Sequence, residues 1–396
     1  MRNREERRSP RAIATGSVGV VLVFALASLA GLPVVAQDVG PTGPSPYDVV
    51  EGWLKPFAAP GFAFGGNSGV FAESPDRIFV LQRGETRLPD PVPSGFAGYV
   101  GSIGINALRG EGRTWQNCIY VVDGDGNVIE VWDQWDSLFE GTDGPGPHRI
   151  RISPYDSERR VWVVHETAHQ IFVFSNDGSE LRMMLGEKNV VGSDRTHFGQ
   201  PQDVAFLPDG RVLVADGYEN SRVVVLDAEG EYLEEFGEPG DGPGQFDVVH
   251  GLAVAPGGRI LVADRDNRRI QVFRVSDFAQ IGEWPTEGLA LDIIVSGSDV
   301  WVSHVRPPKL TKFDLDGNRL FSWNLPSEGP TAFLEMHSFA VDSAGNLYGS
   351  DNQHGRTQKF VPRADAEPAL LVGRRYVPHC GPSDDRPEWP CETEER

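Results

Sequence analysis

Two neighbouring segments of the chain repeat one pattern: Pro201-Gln-Asp-Val-Ala-Phe-Leu-Pro-Asp-Gly-Arg-Val-Leu-Val-Ala-Asp-Gly-Tyr218 and Val249-His-Gly-Leu-Ala-Val-Ala-Pro-Gly-Gly-Arg-Ile-Leu-Val-Ala-Asp-Arg265. Each copy begins with a short apolar segment, turns at an Asp-Gly or Gly-Gly pair, and continues with a second apolar segment that ends in Ala-Asp. A polar loop and a third apolar segment follow. Short apolar runs between turn residues are typical of strands and not of helices. The pattern therefore predicts three short strands in each copy.

Units of the same kind recur on both sides of this stretch. They cover Pro147–Leu185, Pro201–Gly237, Val249–Trp284, Gly288–Trp323 and Met336–Leu371, and a first unit that begins near Ser68 is interrupted by an insertion from Glu85 to Trp115. A repeat of about 40 to 50 residues with four strands is typical of the blades of a β-propeller. The sequence predicts an all-β fold, a six-bladed β-propeller over residues 67–371.

The two ends of the chain differ from the repeats. Residues 1–36 combine five arginines with an apolar run from Val18 to Leu32, which predicts a signal peptide cleaved near Gln37. The alternative is a retained membrane anchor, for which the apolar run is short. Residues 37–66 are expected to be a lead-in segment packed on the body, and 372–396 a Pro-rich acidic tail in which Cys380 and Cys391 could form a disulfide. A secreted or periplasmic protein without stable membrane association after cleavage is expected.

The composition and the net charge indicate which binding partners are unfavourable. The 396 residues are 39% hydrophobic, enough for a large core, and include 46 Gly and 30 Pro, which suit short strands joined by tight turns. The formal charge is −21, and removal of residues 1–36, with five Arg and two Glu, changes it to about −24. Such an acidic surface argues against nucleic acid and anionic lipid as partners. Cys118 begins an apolar strand and is expected to be a buried thiol.

Three histidines occupy one and the same place in alternate units. His148, His250 and His337 lie at the start of the innermost strand of the second, fourth and sixth units. Alternate blades of a six-bladed ring are about 120° apart, so these imidazoles are expected to converge on the central axis. Three histidines with an open fourth position form the ligand set of a catalytic zinc. The alternative is that each histidine packs against, or caps, a neighbouring strand.

A second group of residues follows the second strand of three units. Arg83, Tyr218 and Arg265 share this position, which lies on the rim of a propeller channel. An arginine can hold a substrate carboxylate in a bidentate pair. A tyrosine beside a cation and two guanidinium groups is a candidate general base. The alternative for the arginines is a structural salt bridge to Asp216 or Asp264.

At these residues the chain resembles the six-bladed propellers with NHL repeats, and among them the peptidylglycine α-amidating lyases, over roughly residues 65–360. The matching motifs include Gln82-Arg-Gly84, Gly146-Pro-His148, Ala215-Asp-Gly-Tyr218, Val249-His-Gly-Leu-Ala253 and Val262-Ala-Asp-Arg265. The resemblance implies zinc bound by His148, His250 and His337, Tyr218 as the catalytic base, and Arg83 and Arg265 as substrate anchors. It implies cleavage of the C–N bond of a carboxy-terminal α-hydroxyglycine, which yields glyoxylate and a peptide amide.

The resemblance also implies a structural calcium ion, held by the backbone carbonyls of Val70 and Ile150 and by an Asp that directly follows the third zinc histidine. This chain has Ser338 at that place, so a calcium site lacks its charged ligand and becomes doubtful. Glu335-Met336 replaces the family's Met-Pro ahead of His337 and adds a negative charge near the metal.

Three functions are compatible with the sequence. The first is a zinc-dependent lyase acting on a small-molecule or peptide substrate with a carboxylate. The second is a non-catalytic propeller that binds a protein partner on one face. The third is another metal-dependent hydrolase on the same scaffold. Metal content separates the first from the second, and substrate assays separate the first from the third.

Overall fold

The computed structural model of the protein describes residues 40–55, 57–88, 90–91, 113–142, 144–375 and 377. The chain divides into Met1–Ala36 and Gln37–Arg396. The predicted signal peptide at 1–36 and the predicted disulfide between Cys380 and Cys391 both lie outside the described residues. None of the helices within the described ranges has the length and apolar character needed to cross a membrane.

The described residues contain six four-stranded antiparallel sheets, which are the six predicted blades. From the innermost to the outermost strand, blade 1 is Asn67–Ser74, Arg77–Gln82, Ile119–Val122 and Val128–Val131; blade 2 is Pro147–Ile152, Val161–His165, Gln170–Phe174 and Leu181–Leu185; blade 3 is Pro201–Phe206, Val212–Asp216, Arg222–Leu226 and Tyr232–Phe236. Blade 4 is Val249–Ala255, Arg259–Asp264, Arg269–Arg274 and Gln280–Pro285; blade 5 is Leu289–Ser296, Asp299–Val305, Lys309–Asp314 and Arg319–Asn324; blade 6 is Ser338–Val341, Leu347–Asp351, Arg356–Pro362 and Tyr47–Val49.

The six blades form a closed ring. The innermost strands of successive blades contact one another from blade 1 to blade 6 and back to blade 1. Blade 6 takes its outermost strand, Tyr47–Val49, from the start of the body, and Tyr47 pairs with Pro362. The segment that was expected to be a lead-in thus supplies a strand that joins the two ends of the propeller.

Two smaller sheets and three short 3-10 helices complete the described structure. A three-stranded sheet is made of Phe62–Phe64, Glu85–Arg87 and Arg113–Thr114, and a parallel pair of Glu238–Pro239 and Gln245–Phe246. The 3-10 helices are Asp133–Leu138, Glu166–Ala168 and Pro368–Leu370. The second of these lies on the rim of the channel and is important for the site.

The core consists of apolar layers between neighbouring blades. In the second strand of blade 3, Leu213 and Ala215 face blade 4, whereas Val212 and Val214 face blade 2. Successive side chains of a strand point to opposite faces of the sheet, and here both faces are buried. This explains why these strands are continuous apolar runs. Each fully buried Val or Leu contributes roughly 1.5–3 kcal/mol of transfer free energy.

Three hairpin turns share one hydrogen-bonding pattern: two follow the third strands of blades 3 and 5, and one follows the innermost strand of blade 6. The Asp227 carboxylate accepts hydrogen bonds from the backbone N–H groups of Glu229 and Glu231, and Gly230 has a φ of 87°. Asp314 with Gly317 and Asp342 with Gly345 form the same turn. A positive φ at the fourth position favours glycine, so the Asp-x-x-Gly spacing in the sequence marks the turns.

Candidate metal centre

The three predicted histidines come together on the axis of the ring. His148 and His250 are the second residues of the innermost strands of blades 2 and 4, and His337 directly precedes that of blade 6. Their ring centroids are 4.9, 4.5 and 5.3 Å apart, and one nitrogen of each lies within 4.8 Å of the others. Within the described part of the chain they are the one cluster of three or more histidine, cysteine or acidic side chains with the spacing of a metal site.

Each imidazole is held by a backbone carbonyl of the next blade around the ring. The Nδ1 atoms lie at hydrogen-bond distance from three such oxygens: His148 from Gln202 at 2.7 Å, His250 from Leu291 at 2.8 Å and His337 from Ser68 at 2.7 Å. A carbonyl oxygen only accepts, so Nδ1 carries the proton and the lone pair is on Nε2. The buried Nε2 of His148 has no hydrogen-bond partner. These atoms fit a divalent metal ion.

The electrostatic setting keeps the three rings neutral. Burial holds the pKa of His148 well below its usual range, and the other two imidazoles add to this effect. Burial likewise lowers the pKa of His250, with Arg265 as the next cause, and that of His337, with Arg149 as the next cause. Because metal ions bind the neutral imidazole, the site is ready to take an ion at neutral pH without releasing a proton.

Directly beneath the histidines the channel is filled by an ion-pair cluster of four fully or almost fully buried side chains. Arg151 contacts Asp203 at 3.1 Å and Asp292 at 2.8 Å, and Arg149 contacts the same two carboxylates at 3.6 and 3.5 Å. Arg149 also donates to the backbone carbonyls of Leu291 and His337 at 3.1 and 2.7 Å. Leu291 O is the oxygen that holds His250, so the cluster supports the metal centre from below. No repeat of the sequence pattern indicates this cluster.

The predicted calcium ligands lie beside this cluster. Val70 and Ile150 are both buried on adjacent innermost strands. Ser338, which stands where the resemblance requires an Asp, donates its hydroxyl to Asp292 at 3.2 Å. That hydroxyl therefore donates to a carboxylate that also forms ion pairs with Arg149 and Arg151. Calcium at Val70 and Ile150 remains a prediction, and the guanidinium groups supply positive charge at this level of the channel.

Tyr218 and Arg265 form a pair on the rim above the histidines. Arg265 Nη1 donates to the Tyr218 hydroxyl at 2.6 Å, and its guanidinium lies 4.8 Å from the centre of the tyrosine ring. The Tyr218 ring is 6.2 Å from that of His148 and 6.0 Å from that of His250. Burial and the charge of Glu166 raise the pKa of Tyr218 to about 12, although Arg265 and Arg83 oppose this. The phenol is therefore protonated in the metal-free protein.

Arg83 completes the predicted rim group, and it has an unexpected partner. Its Nη2 contacts Glu166 Oε2 at 3.1 Å, and the same oxygen lies 3.8 Å from His148 Nε2. Glu166 is the first residue after the second strand of blade 2, as Arg83 is in blade 1 and Arg265 in blade 4. The repeat position that indicates the two arginines also indicates this glutamate, which was not among the predicted site residues.

Glu335, predicted to add negative charge near the metal, is also buried in this region. It accepts a hydrogen bond from Gln353 at 3.4 Å. Burial and the neighbouring Asp351 raise its pKa to about 7, while Arg83 opposes the shift. The channel mouth thus carries two acidic side chains besides its arginines.

The alternative salt bridges of the rim arginines are formed by other residues. Asp216 pairs with Arg222 at 2.9 Å and Asp264 with Arg269 at 2.6 Å, each also receiving an Asn side-chain amide. Arg265 pairs with Asp266 instead. The aspartates that end the second strands of blades 3 and 4 therefore stabilise their own loops.

The repeats of the chain resemble those of known proteins. The NHL repeat pattern matches residues 198–226 and 246–273. The chain is 35% identical over 214 residues to the peptidylglycine alpha-amidating monooxygenase of Rattus norvegicus, a match that covers 52% of this chain and 20% of that protein. It is 37% identical over 130 residues to a probable peptidyl-alpha-hydroxyglycine alpha-amidating lyase of Caenorhabditis elegans, covering 32% and 36% of the two chains.

The chain spans about a fifth of the rat protein and about a third of the nematode lyase. Among solved structures, that of a streptogramin B lyase aligns with a TM-score of 0.49 at 11% identity, covering 80% of this chain and 98% of that one. The repeat match and the two relatives show that the chain contains NHL repeats and is homologous to domains of amidating lyases.

Proposed function

We propose that this NHL-repeat propeller is a metal-dependent lyase that cleaves the C–N bond of a carboxy-terminal α-hydroxyglycine, leaving an amide and glyoxylate. The observation that carries the proposal is the convergence of three neutral histidines beneath the Tyr218–Arg265 pair. Relatives named for this activity are homologous over part of the chain. Zinc is the ion we propose, because a three-histidine set is typical of its catalytic sites.

The reaction needs a group that takes a proton from the hydroxyl and a group that returns one to the nitrogen. When bound, a divalent cation supplies a Lewis acid for the hydroxyl oxygen and lowers the pKa of a nearby phenol. Tyr218, as phenolate, takes the hydroxyl proton while the C–O bond becomes a carbonyl and the C–N bond breaks. The same proton then passes from Tyr218 to the departing amide nitrogen, which returns the phenolate.

The arginines would orient the substrate. Arg265 is held by Asp266 at 2.8 Å and donates to Tyr218, so its position relative to the base is set. A guanidinium binds a carboxylate with two parallel hydrogen bonds, which brings the adjacent hydroxyl-bearing carbon to a defined place. Arg83, with 5% of its surface exposed, is the second candidate anchor. The proposed partner is thus a small molecule or peptide that ends in a carboxylate.

The test measures metal content and glyoxylate release with the same purified protein. We expect about one zinc per chain, loss of zinc in His250→Ala, and glyoxylate release from a peptide ending in α-hydroxyglycine. Tyr218→Phe should retain zinc and lose roughly 10²- to 10⁴-fold in turnover, the range for removal of a general base. Tyr232→Phe, on the outermost strand of blade 3, is the matched control.

Two results would refute the proposal in different ways. A protein that contains no metal and does not bind added zinc would favour the binding platform. A zinc-loaded protein that releases no glyoxylate but hydrolyses another substrate class would favour the alternative hydrolase. The secreted or periplasmic location stays a proposal that rests on residues 1–36.

A further inference from the structure

Glu166 is a buried acidic side chain beside the candidate metal centre, and the proposed reaction gives it no role. It lies on the 3-10 helix Glu166–Ala168 that follows the second strand of blade 2, and only 5% of it is exposed. Its Oε2 is 3.8 Å from Nε2 of His148, the buried nitrogen that has no hydrogen-bond partner. A carboxylate and a metal-binding nitrogen therefore face each other inside the protein.

We propose that Glu166 is a fourth protein ligand of the ion bound by His148, His250 and His337, and that its carboxylate alternates between this ion and Arg83. The inference rests on the metal site of the proposed function but not on its substrate. It adds to the predicted set a residue that the repeats place at the same rim position as Arg83 and Arg265.

The distances agree with this role. Ligand atoms bound at about 2.1 Å to a tetrahedral zinc ion are about 3.4 Å apart. Glu166 Oε2 lies 3.8 Å from His148 Nε2, close to this separation, and rotation of the glutamate side chain can adjust its distance to the ion. The nitrogens of the three imidazoles lie within 4.8 Å of one another, so the rings need to approach by up to about 1.4 Å.

The charges also favour it. A divalent ion adds two positive charges at a level of the channel that lies close to Arg83 and Arg149, both buried. Three neutral histidines offset none of that charge. A carboxylate ligand offsets half of it, and unpaired buried charge is costly because the protein interior screens poorly.

Arg83 gives the carboxylate a second place to bind. The oxygen that faces His148 is the one that contacts Arg83 Nη2, at 3.1 Å. If a substrate needed the fourth position on the ion, Glu166 would return to Arg83 and remain paired. The site would then keep the exchangeable position that a catalytic zinc site requires. In this arrangement Arg265 is the arginine left to hold the substrate carboxylate.

The experiment titrates the full-length protein with zinc alone in competition with a chelator, and with cobalt alone by visible absorption. Glu166→Gln should bind zinc about 10- to 100-fold more weakly, the loss typical of groups that support a metal site. Its cobalt spectrum should differ from that of the wild type, because one ligand has changed. Glu85→Gln is the matched control, since Glu85 is buried but bonds to Ala59, Gln116 and Asn117.

Equal zinc affinity in Glu166→Gln and wild type would overturn the inference. So would weaker affinity with an unchanged cobalt spectrum, which would mean that the carboxylate acts through its charge alone. If Glu166→Gln does not fold, the zinc-minus-apo infrared difference spectrum of the wild type decides: a shifted carboxylate band supports ligation, and its absence overturns it. If the protein passes these tests but releases no glyoxylate, the proposed lyase activity is refuted, whereas the assignment of Glu166 as a metal ligand is not affected.

Discussion

Replacement of Asp292 by Asn should destabilise the propeller by about 3–5 kcal/mol, the usual cost of removing one partner from a buried ion pair. Asp292 is completely buried and accepts from Arg151 at 2.8 Å and from the backbone N–H groups of Ile293 and Phe339 at 2.8 and 3.2 Å. Asn has the same shape, but one of its two polar atoms is an NH₂ group, which cannot accept the hydrogen bonds that one Asp292 oxygen receives. It also leaves two arginines with a single carboxylate, that of Asp203.

The expected loss can be measured by urea unfolding followed by tryptophan fluorescence, because the chain has 9 Trp residues. With an unfolding entropy of about 2 cal/mol/K per residue over roughly 300 residues, a loss of about 4 kcal/mol corresponds to a decrease in Tm of about 7 °C. Asp227→Asn is the matched control: the Asn oxygen can still accept from Glu229 and Glu231, so its effect should stay within about 0.5 kcal/mol.

The pH dependence gives an independent check. The arginines hold the pKa of Asp292 well below its ordinary value. Its contribution to stability is therefore fully present above the unfolded-state pKa of about 4, and is lost as the pH falls from there towards the folded-state pKa. The difference between wild type and Asp292→Asn should be constant from pH 5 to 8 and shrink below pH 4. A difference of less than 1 kcal/mol at pH 7, or one that does not shrink in acid, would refute the reasoning.

Two further predictions concern the ions. Zinc affinity should change little between pH 6 and 8, because burial keeps the pKa of His148, His250 and His337 well below its usual range and few protons have to leave. Zinc titrations at both pH values test this, and a steep fall in affinity towards pH 6 would show that the rings are protonated. Added calcium should leave the Tm of the zinc-loaded protein unchanged, because Ser338 is bonded to Asp292 and arginines supply the positive charge of the channel. A clear stabilisation by calcium would show that Val70 and Ile150 hold an ion after all.

Much of the fold and part of the site follow from periodicity. Alternating turns and apolar runs predict the blades because each strand must bury two faces, as Val212 and Leu213 do in neighbouring layers. The histidines were predictable because identical register in alternate repeats means identical distance from the axis. Glu166 was equally accessible to this reasoning, but a lone glutamate at a rim position attracts attention only once its distance to His148 is known.

The sequence by itself determined the number of blades and the place of the three histidines, since both depend only on the spacing of repeats. Only the tertiary structure decided that the segment around Tyr47 closes the ring, that Arg83 pairs with Glu166, and that Arg149 reaches Asp292 beneath the metal centre. The physical reason is that the two residues of each contact are separated by at least 83 positions in the sequence, and in one case by more than 300. No local sequence pattern relates residues so far apart. Closure of the ring creates them, because it brings the same level of every blade to one axis.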